Sequence, residues 1–383
     1  MTNPHFKELR HAYGFDDVAI VPGDVTINPE QTSVELKIGN ITLDIPILAA
    51  AMDGVTDVKA AISMGKLGGL AVLNLEGIHT RYENPDKVLE EITSAPQANV
   101  TGVLQKLYSA PIQDDLVAER VREIKKGGVA CGVSVTPANT KRLAPIVAEA
   151  GADILFVQST VTTARHVSRS TRGLIFEELC KSLGIPVVVG NCVSYSACLS
   201  LMKTGVSGVM VGVGPGAACT SRSVLGIGVP QITATMDSAA ARDAYYEETG
   251  RYVPIITDGG FHRGGEICKA IAAGADGVML GSVFAQAEDS PGKGYHWGMS
   301  HPHPALPRGT RIKVGTTGTL EQILYGPTSV TDGSQNLVGA LKTAMGLCGA
   351  SDISEMHNAD MVIAPSIVTE GKFWQFAQGQ VSK

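Results

Sequence analysis

Gly208-Val209-Met210-Val211-Gly212-Val213-Gly214-Pro215-Gly216-Ala217-Ala218-Cys219-Thr220-Ser221-Arg222 opens as an apolar run and closes as a glycine-rich loop carrying one cysteine and two hydroxyls. A short β-branched run without polar alternation fits a strand buried on both faces, as in a parallel sheet. Seven further runs, at 46–51, 69–74, 129–135, 152–158, 186–191, 254–258 and 277–282, end at or near Gly, Ser, Asn or Asp, and most precede a helical pattern. Apolar residues at three- and four-residue spacing over 139–150, 194–204 and 264–273 predict helices, each closed by a glycine before the next run. Eight such units predict an α/β protein with a closed (β/α)8 TIM barrel, one domain over 1–383. The competing open, doubly wound sheet needs a strand followed by Gly-x-Gly-x-x-Gly and an acidic residue about twenty positions later. No such unit occurs.

The bulk composition narrows the classes. With 383 residues, 44% hydrophobic and 18% charged, the chain can bury a large core and is not a disordered sequence. Its length allows two or three ordinary domains, or one barrel with insertions. A net charge of -6, with no basic run longer than the pair Lys125-Lys126, argues against a nucleic-acid surface. The expected partners are small molecules and further copies of the chain. The first ten residues lack the apolar core of a secretion signal, and no stretch approaches a membrane span without glycine or charge. A cytoplasmic protein without membrane partners is expected. Seven cysteines with no Cys-x-x-Cys argue against a disulfide framework or a zinc knuckle. Most of Cys131, Cys180, Cys192, Cys198, Cys268 and Cys348 are expected as small core residues.

Parallel barrel strands share one C-terminal rim, and catalytic groups gather there. Gly212, Gly214 and Gly216 allow a tight turn that presents backbone amides or carbonyls, and Cys219 is the candidate nucleophile it delivers. The bland alternative is an ordinary strand-to-helix turn with an inert cysteine. The seventh run ends in Asp258-Gly259-Gly260 and the eighth in Gly281-Ser282, where barrels commonly hold phosphate on backbone amides. Asp258 disfavours phosphate by charge, so its expected role is to accept from ribose hydroxyls while Gly260, Gly281 and Ser282 donate to the phosphate. Alternatively, Asp258 caps the following helix. His296, His301 and His303 have no acidic or cysteine companion, and no metal is expected on them.

Over nearly its whole length the chain resembles the IMP dehydrogenase and GMP reductase family. The resemblance rests on Phe15-Asp16-Asp17-Val18 with Val21-Pro22, the segment 46–53, Gly190-Asn191, the loop 212–220, Asp258-Gly259-Gly260, Met279-Leu280-Gly281-Ser282 and the segment 346–350. It implies that Cys219 attacks C2 of a purine nucleoside monophosphate while hydride passes between that carbon and a nicotinamide. It further implies purine nucleotide contacts from Met52, Asp258, Gly260, Gly281, Ser282, Gly298 and Met299. Cofactor contacts would come from Gln158, Ser159, Thr160, Asn191 and Gly212, and a potassium ion would sit on carbonyls of Gly214, Gly216 and Cys219. The regulatory CBS module of many relatives has no room in 99–126, and a flap is expected over about 294–318.

Several positions depart from the family pattern. Gln158 stands where aspartate is usual, Ala50 and Ala217 replace serines, and His296-Trp297 replaces the usual pair before Gly298. Ser221 keeps the hydroxyl that reductases pair with a glutamate near the flap, but Arg308 occupies the glutamate position. The Arg-Tyr pair with which dehydrogenases activate water is absent from 290–330, leaving Arg308 or Arg311 to substitute. Glu321 is expected in the first turn of a helix rather than as a catalytic partner. The favoured expectation is NAD-dependent oxidation of IMP to XMP, a step of guanine nucleotide synthesis, by a homo-oligomer of four or eight subunits. Alternatives are NADPH-dependent GMP reduction, a non-catalytic purine nucleotide-binding paralogue and, outside the family, a flavin-binding barrel.

Overall fold

The computed structural model describes residues 8–167, 173–298 and 309–364. Ile47–Ala49, Leu70–Asn74, Gly132–Val135, Ile154–Gln158, Val187–Cys192, Gly208–Val211, Ile255–Asp258 and Gly277–Leu280 form the closed parallel barrel. Each lies inside or overlaps one of the eight runs read from the sequence. The eighth strand closes on the first in the register Val278 opposite Ile47 and Leu280 opposite Ala49. The three expected helices are Pro137–Ala150, Tyr195–Met202 and Gly264–Ala272. Proline occupies the first turn of Pro137–Ala150, where its missing N–H costs no bond, and Gly151 ends it at φ +98.

Alternation along the strands creates two cores. Leu48, Leu70, Phe156, Val188, Met210, Ile256 and Met279 fill the barrel interior together with Leu36, Ile38 and Leu43. Those last three belong to an antiparallel hairpin, Leu36–Ile38 with Ile41–Leu43. Leu36 packs so closely on Gly277, at the start of the eighth strand, that a Cβ there would lie 2.7 Å from its methyl. The hairpin therefore seals the N-terminal end of the barrel and leaves the opposite rim open. Ile47, Leu73, Val133, Leu155, Val189, Val209, Ile255 and Val278 face outward into the layer of helices. Burial on both faces explains why the runs read as continuously apolar, and each such side chain contributes about 1.5–3 kcal/mol of transfer free energy.

Between the second and third strands lies an insertion with its own small core. Helices Pro85–Ser94 and Val100–Leu107 bring together Val88, Leu89, Ile92, Val100, Leu104 and Leu107 around Ile78, Tyr108 and Trp297. Helix Asp114–Lys126 follows, with two aspartates in its first turn and two lysines in its last, matching the helix dipole. At the chain ends, Val18–Ile20 pairs antiparallel with Met361–Ile363.

Cys131, Cys192, Cys198 and Cys268 are buried as expected, and burial pushes the Cys131 and Cys268 thiols up to about 12. Cys180 and Cys348 are partly buried and pack against the same core. Among the described residues no helix is long and apolar enough to cross a membrane.

Candidate active site

At the open rim the strand ends surround a cavity of ≈ 220 Å³. The sixth strand supplies the loop that carries Cys219. Gly212 sits at φ +147 with the Asp258 carbonyl only 2.5 Å from where a Cβ would lie, and Gly214 turns at φ +78 against the Arg222 side chain. Only glycine combines those backbone conformations with that closeness. Arg222 ties the loop down by donating through Nη2 to the Val229 carbonyl at 2.8 Å. The Cys219 amide donates to the Gly216 carbonyl at 3.0 Å, closing a turn that leaves the thiol exposed. Cys219 Sγ lies 3.3 Å from Ser221 Oγ, the first residue of the short helix Ser221–Leu225.

The seventh strand delivers Asp258. The following helix is capped from Arg263 and Glu266, so the helix-cap alternative for Asp258 is excluded. Its carboxylate instead accepts from Asn191 Nδ2 at 2.8 Å. Burial raises the Asp258 carboxyl to about 6, against the opposing pull of the Asn191 bond. A chain of side chains continues across the rim. Gln158 Nε2 donates to Asn191 Oδ1 at 3.4 Å, and Gln158 Oε1 accepts from Ser134 Oγ at 3.0 Å. Glutamine in place of aspartate thus builds a neutral relay, its amide committed at both ends to protein partners.

Gln231 and His296 escaped the sequence reading as site residues. Gln231 Nε2 donates to the carbonyls of Asp258 and Gly259 at 2.8 and 3.1 Å, fixing the end of the seventh strand. A lone glutamine after Pro230 carries no local signal of that reach. His296 lines the cavity, with Nε2 3.0 Å from Ser282 Oγ and Nδ1 unpartnered among the described residues. Burial lowers it to about 4, so the imidazole is neutral near pH 7. In the sequence it stood out through its place in a trio of histidines and as half of the pair that replaces the usual one before Gly298. No group of three metal-ligating side chains occurs among the described residues.

The fold brings the sequence-predicted residues to this one cavity. Cys219 and Ser221, the glycines 212, 214 and 216, and the set Met52, Asp258, Gly260, Gly281, Ser282 and Gly298 all line it. Gln158, Ser159, Thr160 and Asn191 line the same space, as do Ala50 and Ala217 in place of the expected serines. Met299 and Arg308, together with His301 and His303, lie outside the described residues, as does much of the segment expected as a flap.

Arg311 requires a correction. Instead of standing by to activate water, it is buried away from the cavity, with Nη1 donating to the Ile92 and Thr93 carbonyls at 2.5 and 3.0 Å. Its Nη2 reaches Gln97 Oε1 at 3.3 Å. The last carbonyls of helix Pro85–Ser94 have no intrahelical donors, and the guanidinium satisfies them.

Fold and cavity together define a parallel (β/α)8 barrel whose open rim centres on one exposed cysteine. The chain belongs to the IMP dehydrogenase / GMP reductase family of oxidoreductases, whose domain description matches residues 12–301. It is 37% identical to an uncharacterized oxidoreductase of Mycolicibacterium smegmatis, over 93% of this chain and 98% of that one. An inosine-5'-monophosphate dehydrogenase of Cryptosporidium parvum is 29% identical, over 95% of this chain and 94% of that one. Among solved structures, an IMP dehydrogenase/GMP reductase-like protein of Corynebacterium glutamicum superposes with a TM-score of 0.89 at 36% identity. It covers 95% of this chain and 97% of its own.

Proposed function

We propose that this protein is an NAD-dependent IMP dehydrogenase that oxidises IMP to XMP through a covalent intermediate on Cys219. The observation that carries the reading is that an exposed cysteine, a recessed carboxylate at Asp258 and the Gly281-Ser282 strand end share one cavity. Asp258 would accept from the ribose hydroxyls, and Gly260, Gly281 and Ser282 would donate to the phosphate. Cys219 Sγ would bond to purine C2, and the C2 hydrogen would leave with its electron pair. Hydrolysis of the resulting thioimidate would release XMP and restore the thiol. A bound nicotinamide would supply the acceptor for that hydrogen and electron pair. Gln158, Ser159 and Thr160 form a polar, uncharged stretch of cavity wall, which fits a neutral nicotinamide ribose.

Among the described residues Asp258 is the one carboxylate lining the cavity, and its partner is Asn191 rather than Ser221. Expelling an amino group from C2 needs an acid relay beside that hydroxyl, so the geometry favours dehydrogenation over reduction. Glu321 is exposed in the first turn of helix Leu320–Tyr325 and does not line the cavity. NADH formation from IMP should exceed NADPH consumption with GMP at matched enzyme concentrations, and Glu321→Gln should leave the rate within about twofold. Dominant GMP reduction, or loss of activity in Glu321→Gln, would establish the reductase instead.

We further propose that carbonyls of this loop hold a monovalent cation. The Gly216 carbonyl accepts from the Cys219 amide at 3.0 Å, which leaves it a second lone pair, and the Gly214 and Cys219 carbonyls would complete the set. Replacing potassium with lithium or sodium should lower turnover several-fold while the melting temperature stays unchanged. Equal rates in all three salts would remove the ion from the reaction.

A further inference from the structure

We propose that the inserted helix pair Pro85–Ser94 and Val100–Leu107 acts as a strut that sets the cavity wall at His296 and Gly298, with Tyr108 and Trp297 as its positioning residues. Trp297 is buried in the core of this insertion, although it lies far along the chain from the helices that build it. Its indole Nε1 donates to Tyr108 Oη at 2.6 Å. The same hydroxyl donates its single proton to Asp53 Oδ2, which also accepts from the Ile78 amide at 2.8 Å. Burial next to Asp53 holds the Tyr108 phenol well above its ordinary value, so it remains a donor across the working pH range.

The ends of this three-member chain give it a consequence for the site. Asp53 directly follows Met52, and Trp297 stands between His296 and Gly298; all three of those neighbours line the cavity. Two separate stretches of cavity wall are thus joined from behind by a hydroxyl on the insertion. The backbones also meet closely, since a Cβ on Gly54 would lie 2.6 Å from the Tyr295 carbonyl. Arg311 provides a second, independent tie. It caps helix Pro85–Ser94 and covers the Tyr295 ring at 4.6 Å, while Ile312 pairs with His296 in a two-stranded ribbon. Segments 295–298 and 309–313 are therefore both fastened to the insertion.

Tyr108→Phe in the full chain tests the strut, because it deletes one oxygen and keeps the ring in the core. Amide exchange followed by mass spectrometry should accelerate about tenfold in 295–298, with the barrel strands unchanged. IMP affinity measured by calorimetry should fall about tenfold, the link to the cavity resting on the proposed function. Arg311→Gln should loosen 309–313 while leaving the Tyr108 chain intact, and it carries the test together with Trp297→Phe if Tyr108→Phe fails to fold. Unchanged exchange at 295–298 would overturn the proposal, as would uniform acceleration across the barrel, which marks an ordinary core residue. Local acceleration with unchanged IMP affinity would overturn the coupling to the cavity. Should the unaltered protein bind no IMP, the proposed function fails, and the exchange data still decide the strut.

Discussion

Cys219→Ala is expected to abolish turnover, by at least roughly 10³-fold, while IMP binding survives. The thiol is exposed at the cavity wall and its near neighbour in the structure is Ser221 Oγ at 3.3 Å. Removing it creates no cavity in the core, and the proposed phosphate and ribose partners lie at the ends of the seventh and eighth strands. Acid quenching during turnover of the unaltered protein, followed by mass spectrometry, should reveal a purine nucleotide adduct on the peptide containing Cys219. The adduct should be missing from the variant. Retention of more than trace activity in Cys219→Ala would end the covalent mechanism and leave the loop as a structural turn.

Asp258→Asn should weaken IMP binding roughly 10–100-fold, the range expected for losing hydrogen bonds to a charged acceptor. The substitution is nearly isosteric and keeps an oxygen that can accept from Asn191, so the fold should persist. The pH dependence has a definite sign. Asp258 titrates at about 6 in the folded protein, above the ~3.9 of an unfolded aspartate. Folding therefore favours its protonated form, and this stabilising contribution is complete below about pH 4 and lost as pH rises through about 6. Ligand binding runs the other way, because ribose hydroxyls donate best to the ionised carboxylate. IMP affinity should fall as pH drops through about 6, and that acid limb should be absent in Asp258→Asn. A calorimetric pH series with identical limbs in both proteins would assign the titration to another group.

The two predictions differ in how far they could be read from the chain. Cys219 announces itself through its place after a strand and three spaced glycines, a local pattern. Asp258 also sits in a recognisable strand end, yet its relay to Asn191 and Gln158 depends on three strands meeting at the rim. Gln158 shows the difference most clearly. Its departure from the family residue is visible in the sequence, but only the folded barrel shows its amide bound by Ser134 on one side and Asn191 on the other.

Arg311 makes the same point in reverse. Its position within the expected flap suggested chemistry, whereas its guanidinium closes a helix end 219 residues away in the chain. Trp297 and Tyr108, 189 residues apart, are likewise joined only by tertiary contact. Taken alone, the sequence determined the eight strands, the glycines that end the helices and the rim residues at the strand ends. Each of these follows from burial or backbone conformation repeated at short range along the chain. Only the tertiary structure decided the pairing of Gln231 with the seventh strand, of Arg311 with helix Pro85–Ser94 and of Trp297 with Tyr108. A buried donor must find an acceptor wherever the packed chain places one, and nothing in its local sequence states where that will be.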